Sequence, residues 1–162
     1  MRRGRAAVAA FFVSALGDKM KRDLKILTTV LEKIEDDSLE RFIDHPLGED
    51  VDERKLGKLI AKRRQILLGH LLLLKESGYT GHLTVKVNEG EDSLELCCSI
   101  PRLTMKGHDL LAMLRSASLY ERMKEILDGT GLPLTADTLE LIQHEAADEL
   151  IREWVTKTKA KN

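Results

Sequence analysis

Cysteine is nearly absent from the 162-residue chain: Cys97 and Cys98 are the two it has, and they are adjacent. Neighbouring cysteines close no useful loop and fit disulfide geometry poorly, so a disulfide framework is excluded. Two adjacent thiols make no zinc cage either, unless distant histidines are recruited. They read as small residues on a strand, one facing the core, and such sparse usage suits a reducing cytoplasm. Aromatics are scarce too, at 4%. That disfavours a β-sandwich and favours helices packed on Leu and Ile. Charge of one sign is also lacking, since 26 Lys+Arg stand against 27 Asp+Glu, a net of -1. A uniformly basic nucleic-acid coat and a uniformly acidic mimic are both excluded. What remains is a chain 43% hydrophobic, enough to build a core.

No apolar run is long enough to cross a bilayer, which takes ~20 residues. The nearest is Ala6–Leu16, preceded by Arg2, Arg3 and Arg5 and followed by Gly17-Asp18-Lys19. This has the outline of a signal peptide, and a short amphipathic extension fits it as well. A third reading is a mistaken start. Met20 opens a new charged, amphipathic segment, and Gly17-Asp18-Lys19 can be encoded by a purine-rich stretch like a bacterial ribosome-binding sequence. Translation is then expected to begin at Met20, with residues 1–19 an over-extended gene call. Dropping them removes four bases (Arg2, Arg3, Arg5, Lys19) and one acid (Asp18), moving the net charge from -1 to -4.

From Leu24 the apolar positions Leu24, Leu27, Val30, Leu31 and Ile34 lie on one helix face, with Asp23 as cap and Glu35-Asp36-Asp37 as the end. Residues 32–53 carry ten acids against two bases, Lys33 and Arg41, around Pro46 and Gly48, and read as a short helical turn and an exposed loop. Asp52 opens a second long helical stretch. Its stripe is Leu56, Leu59, Ile60, Leu67, Leu71 and Leu74, widened by Ile66, His70 and Leu73. Lys55, Lys58, Lys62, Arg63 and Arg64 fall mostly opposite, and residues 51–76 hold seven bases against three acids. Gly57 allows a break into two helices, and Gly78 is a natural stop.

The period then changes from helical to two. Leu83, Val85 and Val87 alternate with polar residues, as do Leu94 and Leu96, across the tip Asn88-Glu89-Gly90-Glu91-Asp92. This predicts a β-hairpin closed by Pro101. Helical segments follow over Met105–Ser116 (with Thr104 as cap), Tyr120–Leu127 and Leu134–Val155. Residues 156–162 are expected to fray as a basic tail. Residues 20–155 thus read as one domain: α+β but mostly α, a winged helix-turn-helix with a two-stranded wing and additional C-terminal helices. The basic helix before the wing suits a recognition helix in a major groove.

Three segments also resemble a known family. Met20-Lys21-Arg22-Asp23-Leu24 is similar to its opening, and Ile66-Leu67-Leu68-Gly69-His70 through Glu76-Ser77-Gly78-Tyr79 to its helix ending in His-Leu-x-x-Leu-x-Glu-Ala-Gly. Arg102-Leu103-Thr104-Met105-Lys106-Gly107-His108-Asp109-Leu110-Leu111 is similar to its Arg-Leu-Thr-x-x-Gly-His-x-Phe-Leu stretch, whose Leu-Thr-x-x-Gly-His part is the most specific of the three. The family is the bacterial and prophage set known as domain of unknown function 2513, and the resemblance runs from about Met20 to Ile151. It implies a small winged-helix protein of mobile-element neighbourhoods, with no established activity. Met105 replaces a common aromatic, Leu110 a common Phe, and the acidic segment is longer than usual.

Catalytic constellations are weak. Asp109 beside His108 is poorly placed to orient it, because adjacent helical residues do not face each other. Gly107 is read as permitting close packing of hairpin on helix, with His108 capping or filling that seam. His70 reads as a core or boundary histidine, not a ligand with His108 and a cysteine. His144-Glu145 lacks a second His, and Glu32/Glu35 and Glu121/Glu125 read as solvent faces. Gly129-Thr130-Gly131 lacks the features of a phosphate loop. No enzyme, metal or cofactor is expected.

Two roles stay open. One is a DNA-binding transcription regulator contacting double-stranded DNA through Lys55, Lys58, Lys62, Arg63, Arg64 and Gln65, with Lys86 the basic residue of the wing. In the other, the acidic wing and C-terminal helices bind a protein. The helix carrying Leu139–Trp154 either packs back on the domain or serves as a homodimer contact. No membrane role is expected.

Overall fold

The computed structural model describes residues 23–49, 51–88, 93–97 and 100–160. The start at Met20, the extension before it, the wing tip 89–92 and Cys98 lie outside the described residues. The architecture is mostly helical α+β, with small two-stranded sheets. Helices α1 (Leu24–Glu35), α2 (Leu39–Asp44) and α3 (Glu53–Glu76) come first. Strands β1 (Thr80–Gly81), β2 (Thr84–Asn88), β3 (Ser93–Cys97) and β4 (Arg102–Leu103) follow. Helices α4 (Met105–Arg115), α5 (Ala117–Thr130) and α6 (Ala136–Lys159) complete the chain.

Side-chain caps fix several helix starts. Asp23 accepts from the Lys25 amide, Asp52 from Arg54, Thr104 from Gly107 and Thr135 from Thr138, satisfying donors that the first turn leaves unpaired. All five predicted apolar residues of α1 are buried. The predicted stripe of α3 behaves differently along its length. From Leu67 to Leu74 the helix is buried on every side, including Leu68 and Leu72, whereas Leu56 and Leu59 are exposed. The break allowed at Gly57 does not occur; α3 is one helix of 24 residues.

The end of α3 sets up everything after it. Gly78 has φ +76°, and the amides of Gly78 and Tyr79 donate back to Lys75 O (3.1 Å) and Leu74 O (2.9 Å). This paired closure puts a residue in the left-handed region, where glycine is least strained. The chain then turns Tyr79 into the core, fully buried. β2 and β3 pair antiparallel with Thr84 opposite Cys97 and Asn88 opposite Ser93. The hairpin's root is a second ladder, Thr80 opposite Leu103 and Gly81 opposite Arg102. Two residues (82–83) separate the ladders between β1 and β2.

The buried residues form one cluster, with α3 packed on α1, α2, the strands and α6. The C-terminal segments are longer than the sequence suggests: α5 covers Ala117–Thr130, and α6 runs past Val155 to Lys159. Leu139, Ile142 and Ala146 of α6 are buried, whereas Ile151 and Trp154 near its end are exposed. Among the described residues, no helix is long and apolar enough to cross a membrane.

Candidate functional site

The first turns of α3 project from the body. Residues 54–59 and 61–62 are exposed, and Ile60 is half-buried. Lys55, Lys58 and Lys62, at spacings of three and four, form one ridge along this segment. Leu56 (41% exposed) and Leu59 (49%) lie to one side of the ridge and belong to the surface. Periodicity alone puts them on the core stripe; the six-residue α2 leaves them uncovered. Lys55 has one local partner, Asp52 at 3.7 Å.

Arg63 and Arg64 leave the ridge. Arg64 donates from Nε to Ile43 O (3.1 Å) and from Nη2 to Asp44 O (3.0 Å), closing the last turn of α2. That geometry holds its guanidinium in a structural role, away from the base-reading position expected of it. Arg63 is half-buried and lines a cleft with Asp23, Ile26, Thr29 and Phe42. Gln65 is half-buried as well. Lys86 is exposed on β2 directly across from Glu95, which offsets its charge. Three lysines are thus brought together out of the expected set.

The Leu-Thr-x-x-Gly-His stretch is a packing device. Thr104 caps α4, its hydroxyl donates to Gly78 O at 2.8 Å, and its amide donates to Tyr79 O at 3.1 Å. Gly107 lies against that same Tyr79 carbonyl, where a β-carbon would fall far inside van der Waals contact and 3.3 Å from Leu103 Cβ. Close approach is therefore what the glycine provides. His108 does not fill this seam. It is exposed, with Nδ1 3.9 Å from Glu35 Oε1, at the mouth of a cleft of about 370 Å³ lined also by Ile34, Asp37, Ile100, Pro101 and Arg102.

His70 is completely buried. Its Nδ1 donates to Ile66 O (2.7 Å) and its Nε2 accepts from the Asp23 amide (2.8 Å), so the ring is neutral with the proton on Nδ1. Both nitrogens are occupied, and the ring ties the start of α1 to the middle of α3. Among the described residues, no group of three or more His, Cys, Asp or Glu is arranged to hold a metal.

Sequence reasoning missed the long-range ion pairs, because no spacing signals them. Lys106 donates to Ser77 O and Glu140 and stands 4.7 Å from the centre of the Tyr79 ring. Gln143 donates to the Tyr79 hydroxyl at 2.7 Å, and burial pushes that phenol's pKa up. Arg115 bridges Glu32 and Glu35 from α4 to α1, and Arg122 bridges Glu149 and Glu153 from α5 to α6. Glu32 and Glu35, expected as a plain solvent face, join helices.

The hydrogen bond and charge of Lys106 hold Glu140 below the usual carboxylate range. The folded state therefore keeps Glu140 charged at pH values where an unfolded chain takes up a proton. The pair's stabilisation is present above the ordinary carboxylate range and lost as pH falls through the lowered value. Glu140→Gln is expected to lower Tm slightly at neutral pH, slightly because the pair is exposed, and to converge with the parent in acid, so that the acid limb of a Tm-against-pH series becomes a little flatter. No family model matches the chain, nor does any curated protein or solved structure.

Proposed function

We propose that this protein is a winged-helix, non-enzymatic regulator of bacterial or prophage kind that binds double-stranded DNA through the exposed half of α3. The observation that carries the reading is the projecting Lys55–Lys58–Lys62 ridge on the helix before a two-stranded hairpin. A helix that stands clear of its own body can enter a major groove. Lysines along it neutralise phosphates, and the exposed Leu56 and Leu59 beside them suit thymine methyl groups. The Leu-Thr-x-x-Gly-His resemblance supports the winged-helix reading.

The test is a mobility shift across a salt series, using random-sequence duplex and duplex from the gene's own locus. Binding is expected to weaken steeply with salt. Lys58→Ala with Lys62→Ala should lower the slope of log affinity against log salt by about 2, one per lost phosphate contact. No shift at low salt, or an unchanged slope in the double variant, overturns the proposal.

A second reading, protein recognition, draws on the cleft beside the wing root. Two adjoining hollows there share Asp37, Ile100 and Pro101, and their rim carries Glu35, Glu40 and Asp44. Exposed Ile100 amid acids suits a basic, partly apolar peptide.

A further inference from the structure

The hollow beside α2 and the exposed start of α3 are complementary surfaces on one chain. The hollow, of about 470 Å³, has an apolar lining that includes Ile43, Ile100 and Pro101. Asp37, Glu40 and Asp44 also line it, with no base beside them among the described residues, a charge of -3. Nearby cations are committed elsewhere, Arg41 to Glu49 and Arg64 to the carbonyls of Ile43 and Asp44. The adjoining hollow adds little charge, because Glu35 is held by Arg115 and Arg102 lines it too.

On α3, Lys55, Lys58, Lys62 and Leu59 are exposed and fall within about 100° of the helix circumference at 3.6 residues per turn. Asp52 caps the helix and stands 3.7 Å from Lys55, so that pair is already matched. Lys58 and Lys62 have no ion pair among the described residues. Residues 52–62 hold Arg54 and these three lysines against Asp52 and Glu53, a net of +2.

We infer that the exposed start of α3 in one copy seats in the α2 hollow of another, with Lys58 and Lys62 against Asp37 and Asp44 and Leu59 toward Ile100. The inference rests on the reading of this cleft as a site for a basic, partly apolar segment, and it names the segment. The occupant is a second copy because α3 is one continuous helix whose start stands exposed, outside its own hollow. The two surfaces differ, so the contact is head-to-tail and can repeat from copy to copy. Opposite charges beside an apolar contact set its register and make it weaken with salt.

Light scattering of the full chain is followed along a dilution series at low and high salt. At low salt the mass is expected to rise from 18.3 kDa to twice that value or more, and high salt should move the midpoint to several-fold higher concentration. Lys58→Glu with Lys62→Glu reverses the ridge, and Glu40→Lys with Asp44→Asn neutralises the hollow. Each variant alone is expected to keep the single-chain mass. Mixed in equal amounts they should associate, one bringing an intact hollow and the other an intact ridge, and growth should stop at the pair. Two misfolded chains could not do this. A parent that stays single at every concentration overturns the inference. So does association unmoved by either double change, or a mixture that stays single. A synthetic Lys- and Leu-rich peptide titrated into the ridge variant tests the cleft separately: binding there, beside a parent that never associates, upholds the cleft reading and overturns self-association.

Discussion

Gly107→Ala is expected to destabilise the fold by about 3 kcal/mol, at the upper end of what overpacking commonly costs. The new methyl group meets a backbone carbonyl, Tyr79 O, and not the far end of a flexible side chain. A side chain can rotate aside, but this carbonyl accepts the Thr104 amide at 3.1 Å and belongs to the turn that closes α3. Relief therefore requires α4 to move off the hairpin root, breaking the Thr104 contacts to Gly78 and Tyr79. Thermal unfolding should show a fall in Tm of about 10 °C for a chain of this size. Gly129→Ala is the control, since nothing lies within 4 Å of a β-carbon there. If the two variants melt together, the close-approach account of Gly107 is wrong.

The second large effect is expected at His70. Replacement by Ala removes a fully buried ring and the acceptor for the Asp23 amide, at a cost of about 3 kcal/mol. His70→Leu refills most of the volume without supplying an acceptor, and should recover roughly half of that loss. The two are separable by hydrogen exchange at the Asp23 amide. Exchange should accelerate in both variants, because neither supplies the acceptor that His70 Nε2 provides. A protected Asp23 amide in His70→Leu would show that the bond does not hold the start of α1.

Much of the fold was legible because local chemistry and tertiary packing agree. Asp23, Asp52 and Thr104 read as helix caps from sequence alone, and each accepts a first-turn amide. The switch to period two over residues 83–96 marked the hairpin, whose register has Val85 opposite Leu96. Gly107 was read as a site of close packing, and it is one, against a carbonyl that sequence cannot place. Legibility stops where the answer depends on what covers a face. Leu56 and Leu59 continue the stripe of α3 in perfect register, yet periodicity says only which side chains share a face. Arg64 shows the same limit for charge: its number in the chain puts it with the lysines, and the end of α2 draws it away.

The two halves of α3 have a mechanical meaning. The helix is clamped on all sides from Leu67 to Leu74 and exposed from its start to about Lys62, an overhang of roughly 15 Å at 1.5 Å per residue. It is a cantilever, and Arg64 is the bracket just outside the clamp. A stiff beam held at one end turns a small rotation at the support into a larger displacement at the tip. A core substitution near Leu68 or Leu71 that tilts the clamped half by a few degrees would swing Lys55 further than Lys62. The lysine ridge is thus aimed by residues that never reach the surface.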